Sequence, residues 1–155
     1  MKSQAIYLST VGVLVLVEED GYLTNIHFGP DKIDSTIKQE TTPTLLLAIS
    51  ELDEYFAGNR TMFTVPLALK GTNFQMKVWE SLLTIPFGEV QSYKYVAQLV
   101  DNPKGSRAIG MANNKNPIPI IVPCHRVIGS NGKLVGYAGG LDIKTKLLAI
   151  ENIIY

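Results

Sequence analysis

The sequence predicts an α+β protein in two parts: a small N-terminal α/β lobe over residues 1–70 and a mostly helical C-terminal domain over residues 71–155. Short apolar runs separated by turn residues dominate the first part, whereas apolar residues recur at helical spacing in the second. The net charge changes sign between them. Residues 1–70 carry five Lys/Arg and nine Asp/Glu, and residues 71–155 carry nine and five. Gly71 marks the expected boundary.

The N-terminal lobe begins with three predicted strands of an antiparallel sheet. They cover Ile6 to Thr10, Val11 to Val17 and Tyr22 to Phe28. Asp20-Gly21 lies between the second and the third, and Asp-Gly between apolar runs is a strong signal for a two-residue hairpin turn. His27 stands alone in a strand, and we expect a structural role for it.

A helix is predicted to follow, with Thr42 as its N-cap, Pro43 at its first position and Gly58 just past its end. Four apolar residues at helical spacing should face the sheet: Leu45, Ile49, Leu52 and Phe56. The run from Met62 to Leu67 predicts one more strand.

The C-terminal domain should contain several short helices. The first predicted helix ends near Pro86, and its apolar face consists of Phe74, Val78, Leu82 and Ile85. Ser92 can cap a second helix that runs through Val100, with Val96 and Leu99 facing inward.

A turn over residues 102–105 and a third helix, capped by Ser106 and ending near Asn114, complete the shape of a helix-turn-helix. Arg107 lies in the first turn of this third helix, where recognition helices present residues to nucleic acid. Small residues surround Arg107 and would permit close approach to a groove: Gly105, Ser106, Ala108, Gly110 and Ala112.

Residues 127–135 predict a hairpin that would serve as the wing beside this helix pair. Val127-Ile128 and Leu134-Val135 are the two apolar arms, and Asn131-Gly132 supplies the turn. A last helix should run from Leu141 to Ile153.

The most distinctive chemistry lies in the pair Cys124-His125, which holds the only cysteine and one of two histidines. Pro117, Pro119 and Pro123 predict an extended, stiff approach to this pair. A thiol attacks as thiolate and needs a base nearby. Side chains of adjacent extended residues point apart, so we expect a bridging water between sulfur and imidazole. A third group should orient the imidazole.

Composition and length exclude several classes of protein. With 46% hydrophobic and 18% charged residues, the chain should fold rather than remain disordered. One cysteine and two histidines permit neither an internal disulfide nor a four-ligand zinc site. We therefore expect no metal and a reducing, cytoplasmic location. The longest early apolar stretch, Val11 to Val17, is too short to span a bilayer, so no membrane association is expected.

Five motifs between Gly71 and Ile153 together resemble the methylated-DNA–protein-cysteine methyltransferases. They are Gly88-Glu89-Val90-Gln91-Ser92-Tyr93, Ser106-Arg107-Ala108-Ile109-Gly110, Asn116-Pro117-Ile118-Pro119, Pro123-Cys124-His125-Arg126-Val127 and Gly136-Tyr137-Ala138-Gly139-Gly140-Leu141. The resemblance implies a winged helix-turn-helix in the C-terminal domain and a ribonuclease-H-like N-terminal lobe.

The resemblance also implies a reaction and the residues that perform it. Cys124 would take a methyl or larger alkyl group from O6 of guanine in DNA, with O4 of thymine left open as a second target. The transfer would be irreversible, with one turnover per chain and no cofactor. His125 would deprotonate Cys124 through a water, Glu151 would orient His125, and Asn116 would hold the turn before the active-site strand.

For DNA binding, the resemblance implies a monomer that approaches double-stranded DNA from the minor groove and flips the damaged base. Arg107 would fill the gap and Tyr93 would help to turn the nucleotide out. The other expected contacts on this surface are Ser92, Ala108, Gly110 and Ala112. Tyr93, Val127, Tyr137 and Ala138 would line the pocket, and the carbonyls of Cys124 and Val127 would face the guanine amine.

Two other readings remain open at the level of sequence. One is a non-catalytic winged-helix module that binds DNA and in which Cys124 is only packed, and it predicts that Cys124→Ala leaves the DNA function intact. The other is a thiol hydrolase with a Cys-His-Glu site, for which Arg107→Ala would have no effect.

Overall fold

The computed structural model describes residues 1–102 and 104–155, and these form two compact units, Met1–Lys70 and Gly71–Tyr155. The elements of the first unit are β1 (Lys2–Ser9), β2 (Gly12–Glu19), β3 (Tyr22–Phe28), a 3-10 turn (Pro30–Lys32), β4 (Lys38–Gln39) and α1 (Pro43–Phe56). No helix in the described ranges is both long and apolar enough to cross a membrane.

The sheet of the first unit has the strand order β3-β2-β1-β4. β1, β2 and β3 are antiparallel, and β4 pairs in parallel with β1. The predicted Asp-Gly turn is confirmed: Glu19 pairs with Tyr22, and both Asp20 (φ 54°) and Gly21 (φ 87°) have positive φ. Such dihedrals match the twist of the flanking strands. The two-residue strand β4 was not predicted.

Helix α1 begins and ends as predicted, and its buried stripe includes the predicted Leu45 and Leu52. The Thr42 side chain accepts from the Leu45 amide, Pro43 is the first helical residue and Gly58 has φ 79°. The buried apolar residues are Leu45, Ala48, Leu52 and Tyr55. Ile49 and Phe56 lie at the half-buried margins of this stripe, and the Phe56 ring stacks on Tyr7 of β1 at 6.3 Å between ring centroids.

The strand predicted over residues 62–67 is wrong; only Leu67 forms a single bridge, to Leu23. The reason is a side chain. The buried Glu51 carboxylate accepts hydrogen bonds from the amides of Thr64 (2.9 Å) and Val65 (3.0 Å), which takes two backbone donors that a strand would need.

The second unit is mostly helical, as expected. Its elements are α2 (Asn73–Leu82), β5 (Gln91–Ser92), α3 (Tyr93–Leu99), α4 (Ser106–Asn114), a 3-10 turn (Cys124–Arg126), β6 (Val127–Ile128) and α5 (Leu141–Ile150). Ser92 caps α3 as predicted, whereas Ser106 is the first residue of α4 and Gly105 is its N-cap. Val96 is buried but Leu99 is 49% exposed, because α3 turns Ala97 inward instead. The predicted turn 102–105 includes Pro103, which lies outside the described residues.

The hairpin predicted as a wing is wrong. Val127–Ile128 pairs in parallel with Gln91–Ser92, and Leu134-Val135 form no strand within the described ranges. The turn itself forms, with the Gly129 amide 2.9 Å from the Lys133 carbonyl. On either side of this turn, the carbonyls of Val127 and Val135 accept hydrogen bonds from the Lys144 side chain. These bonds take the place of the backbone hydrogen bonds that would join the two arms of a hairpin.

Candidate active site

The backbone before Cys124 is a tight turn rather than the extended segment that the prolines predicted. The Val122 amide donates to the Ile118 carbonyl at 2.9 Å, and Ile120 has φ 76°. A β-branched residue in the left-handed region is strained, and such strain concentrates at functional sites. Cys124 then opens a 3-10 turn instead of lying in a strand, and its side chain is buried.

Asn116 holds this turn from both sides. Its Oδ1 accepts from the Ile118 amide (3.0 Å), and its Nδ2 donates to the Val122 carbonyl (2.8 Å). The structure thus places Asn116 at the junction that precedes Cys124, where the sequence analysis expected it.

The surroundings of the Cys124 thiol favour its protonated form. Burial raises its pKa, and hydrogen bonds from the side chains of Asn116 and Tyr137, together with the positive charge of Lys144, act in the opposite direction. Ionisation therefore depends on a base that removes the proton.

His125 is fully buried and is paired with Glu151, at 2.6 Å between Nε2 and Oε2. Burial lowers the pKa of His125, and this outweighs the opposite effect of the Glu151 carboxylate. His125 is therefore neutral near pH 7 and able to accept a proton.

Glu151 lies at the C-terminal cap of α5, which ends at Ile150 rather than at Ile153 as predicted. The carboxylate is paired inside the unit. It accepts from the Gly88 amide (3.0 Å) and from Arg126 at Nε (2.8 Å) and Nη2 (3.2 Å), besides its contact with His125. Arg126 also donates from Nη1 to the Ile85 carbonyl (2.7 Å).

Sequence reasoning missed Arg126, Lys144 and Asn113. Lys144 is 0% exposed and donates to the carbonyls of Val127 (2.7 Å) and Val135 (2.9 Å). Burial lowers its pKa to about 8, against an opposing effect of Cys124. A signal existed for this residue, since Lys144 shares one helix face with Leu147, Leu148 and Glu151. Asn113 donates from Nδ2 to the Cys124 carbonyl at 3.1 Å.

The same unit has a groove of about 470 Å³. Its lining residues are Tyr93, Ser106, Arg107, Gly110, Asn114, Ser130, Val135 and Gly136. Tyr93, Arg107 and Gly110 were predicted for this surface. Burial raises the pKa of Tyr93, nearby Cys124 adds to the rise, and a hydrogen bond with Asn113 opposes it.

Other predicted residues lie elsewhere or have another local role. Ala112 is 1% exposed and its carbonyl accepts from Trp79 Nε1 (2.9 Å), so the expectation that Ala112 contacts DNA was wrong. Ser92 Oγ accepts from the Tyr95 amide (3.0 Å) as a helix cap. Ala108 is half-buried, Val127 is buried, Tyr137 is half-buried and Ala138 is exposed.

Two family models match the chain over nearly its whole length. One is described as the ribonuclease-like domain of 6-O-methylguanine DNA methyltransferase and matches residues 3–69. The other is described as the DNA-binding domain of the same family and matches residues 73–153.

Similar proteins are found among curated sequences and solved structures. A methylated-DNA–protein-cysteine methyltransferase from Methanosarcina acetivorans is 49% identical over 153 residues, with 96% of this chain and 97% of the relative covered. A constitutive one from Bacillus subtilis is 46% identical, with 94% and 92% covered. The crystal structure of Mycobacterium tuberculosis OGT in complex with DNA superposes with a TM-score of 0.89 at 43% identity, with 96% and 92% covered.

Proposed function

The chain belongs to the 6-O-methylguanine DNA methyltransferase family, and we propose from this membership that Cys124 accepts the alkyl group from O6 of guanine in DNA. The protein is a DNA-binding methylated-DNA–protein-cysteine methyltransferase that acts in DNA repair. The observation that supports the residue assignment is a buried thiol that directly precedes, in the chain, an imidazole paired with a carboxylate.

Cys124, His125 and Glu151 would share the proton transfers of the proposed reaction. A water carries the Cys124 proton to neutral His125, whose positive charge Glu151 then stabilises. The thiolate attacks the alkyl carbon, so the C–S bond forms while the C–O6 bond breaks. The electron pair remains on the guanine, which takes up the proton from His125 through water as it returns to its keto form, and His125 becomes neutral again. The thioether product is stable, and each chain therefore reacts once.

The alkylated atom lies inside a stacked duplex, so the nucleotide must be turned out of the helix. We propose that α3 and α4 form the helix-turn-helix that binds the minor groove, as a monomer. Arg107, exposed on the first turn of α4, would fill the gap. Tyr93, with Ser92 and Gly110 nearby, would guide the base toward Tyr137 and Ala138.

We assign DNA binding and alkyl transfer to the unit Gly71–Tyr155, and a ribonuclease-H-like fold to the unit Met1–Lys70. O4 of thymine is a second candidate target. A reactive free thiol requires a reducing compartment, which favours action in the cytoplasm.

The mass of the intact protein after incubation with duplex DNA containing O6-methylguanine tests the proposal. We expect one added methyl group per chain, located at Cys124 by peptide mapping, and none for Cys124→Ser. An unmodified wild-type protein that still binds the duplex would instead support a module in which Cys124 is only packed. Repeated turnover on small acyl substrates would support the thiol hydrolase.

A further inference from the structure

The side chain of Asn113, on the buried face of α4, has one polar atom that is bonded and one that is not. Its Nδ2 donates to the Cys124 carbonyl at 3.1 Å, and this contact is buried. Its Oδ1 is also buried and has no hydrogen-bond partner within residues 1–102 and 104–155. A buried acceptor without a donor is rare and costs free energy, which a ligand that brings a donor would recover.

The surroundings of Asn113 determine which way its amide points. If the two ends were exchanged, Oδ1 would face the Cys124 carbonyl with no hydrogen between the two oxygens. The hydrogen bond between Asn113 and Tyr93 opposes the rise in the Tyr93 pKa, as a donor to the phenolic oxygen does. The Nδ2 end therefore serves the thiol-bearing turn and Tyr93, a lining residue of the groove, and Oδ1 is the end left over.

The Cys124 carbonyl has both of its acceptor positions in use. A carbonyl oxygen has two lone pairs. One accepts from the Val127 amide, which closes the 3-10 turn, and the other accepts from Asn113. The resemblance implied that the guanine amine faces the carbonyls of Cys124 and Val127. For the Cys124 carbonyl this would require a position that Asn113 already fills.

An alkylated guanine in DNA offers N–H donors in one place only. Alkylation at O6 leaves N1 without a hydrogen and N9 carries the sugar, so the exocyclic 2-amine is the donor group that remains. A base whose alkyl carbon meets the Cys124 sulfur lies next to Asn113, which contacts the backbone of Cys124 itself. Both residues are 3% exposed, so the approach of the base has to open this region in either case.

From this geometry we propose that Asn113 is a specificity-determining residue: its Nδ2 occupies the Cys124 carbonyl, and its Oδ1 accepts a hydrogen bond from the 2-amine of the alkylated guanine. The inference rests on the proposed function of Cys124 as alkyl acceptor and names the group that distinguishes guanine from other O6-alkylated purines. Asn113 takes no part in the proton transfers among Cys124, water and His125.

Two free bases that differ only in the 2-amine test the proposal, O6-methylguanine and O6-methylhypoxanthine. Neither requires base flipping, and methyl transfer to Cys124 is followed by the mass of the intact protein. We expect the wild-type protein to react about tenfold faster with O6-methylguanine, as the loss of one hydrogen bond at a buried acceptor implies. Asn113→Leu, which keeps the approximate size but removes both polar atoms, should react with the two bases at nearly equal rates.

Two further variants separate this role from a contribution to folding. Asn113→Asp keeps an acceptor oxygen and should therefore still prefer O6-methylguanine. Asn73→Leu makes the same substitution as the test variant at an exposed position of α2, and it should leave the ratio of the two rates at the wild-type value. An Asn113→Leu protein that is slower with both bases but keeps the wild-type ratio would overturn the proposal.

The wild-type protein tests the proposal even if Asn113→Leu does not fold, because equal wild-type rates with the two bases would reject it. Failure of the proposed function gives a different result. A wild-type protein that takes up no methyl group from a duplex containing O6-methylguanine would refute Cys124 as the alkyl acceptor. Methylation of the wild type together with an unchanged ratio in Asn113→Leu would refute the role of Asn113 alone.

Discussion

At the scale of single residues, Glu151 forms several hydrogen bonds in the candidate site. Its buried carboxylate accepts from His125, from Arg126 twice and from the Gly88 amide. These donors compensate for the loss of water around the charge. The same contacts fix the orientation of the His125 ring, so stability and chemistry depend on one group.

We expect Glu151→Ala to lower the free energy of unfolding by about 3 kcal/mol, because it leaves the buried Arg126 charge uncompensated. It should also slow alkyl transfer while the folded protein still binds DNA. Urea unfolding and single-turnover rates test this. Glu80→Ala, which removes an exposed carboxylate from α2, should change neither; a folded Glu151→Ala protein with the wild-type rate would remove Glu151 from the mechanism.

Burial lowers the pKa of His125, and this predicts how stability depends on pH. The unfolded chain binds a proton near pH 6.5, whereas folded His125 binds one only at lower pH. The stability contributed by neutral His125 is therefore complete above about pH 6.5 and is lost as the pH falls toward the folded pKa, by at most about 1.4 kcal/mol per pH unit.

His27 also has a lowered pKa, from burial and nearby Lys32, so its contribution must be removed first. We expect the free energy of unfolding of the His27→Gln variant still to decrease as the pH falls from 7.5 to 5.5. A flat profile for that variant would mean that His125 does not titrate as its surroundings require.

At the scale of elements, α4 separates its two faces by residue size and exposure. Ile109, Ala112 and Asn113 are buried, and Trp79 Nε1 ties the helix to α2 through the Ala112 carbonyl. Arg107 and Gly110 lie on the side that lines the groove. The anchored inner face thus holds Arg107 at a defined place on the outer one.

We predict that Arg107→Ala slows repair of duplex DNA by about 100-fold but hardly affects reaction with the free alkylated base, because only the duplex requires base flipping, which costs a few kcal/mol. Single-turnover rates on both substrates test this. Lys77→Ala, which removes an exposed charge from α2, is the control. Equal losses on the two substrates would rule out the proposed role.

At the scale of the whole molecule, charge is divided between the units. The first has an excess of four acidic residues and the second an excess of four basic ones, so the net charge of zero hides a basic unit. A cationic surface binds DNA largely through release of counterions. The acidic unit adds no such attraction.

We therefore expect affinity for duplex DNA to fall at least about tenfold between about 50 and 200 mM salt. Lys133→Ala, near the groove in the second unit, should reduce the slope of this dependence, whereas Lys32→Ala in the first unit should not. Fluorescence anisotropy measures both. Identical slopes for the two variants would place the DNA-binding surface elsewhere.

Local chemistry alone determined much of the fold. The Asp20-Gly21 turn, the Thr42-Pro43 start of α1 and the Ser92 cap of α3 were all predictable because caps and tight turns are satisfied by residues adjacent in the chain. The two-part organisation was also predictable from the sequence, and the proposed role of Cys124-His125 came from it as well, since motif order and charge do not depend on packing.

Only the tertiary structure decided where side chains, rather than other backbone groups, form hydrogen bonds with the backbone. Glu51 accepts hydrogen bonds from backbone amides in the segment predicted as a strand, and Lys144 donates to backbone carbonyls in the segment predicted as a hairpin. The hydrogen bond from the Val122 amide to the Ile118 carbonyl bends a segment that the prolines alone would extend. Tertiary contacts likewise decided the burial of Arg126 and Lys144 and the end of α5 at Ile150. Each depends on contacts between residues far apart in the chain, and the balance of desolvation against such contacts exists only once the core has formed.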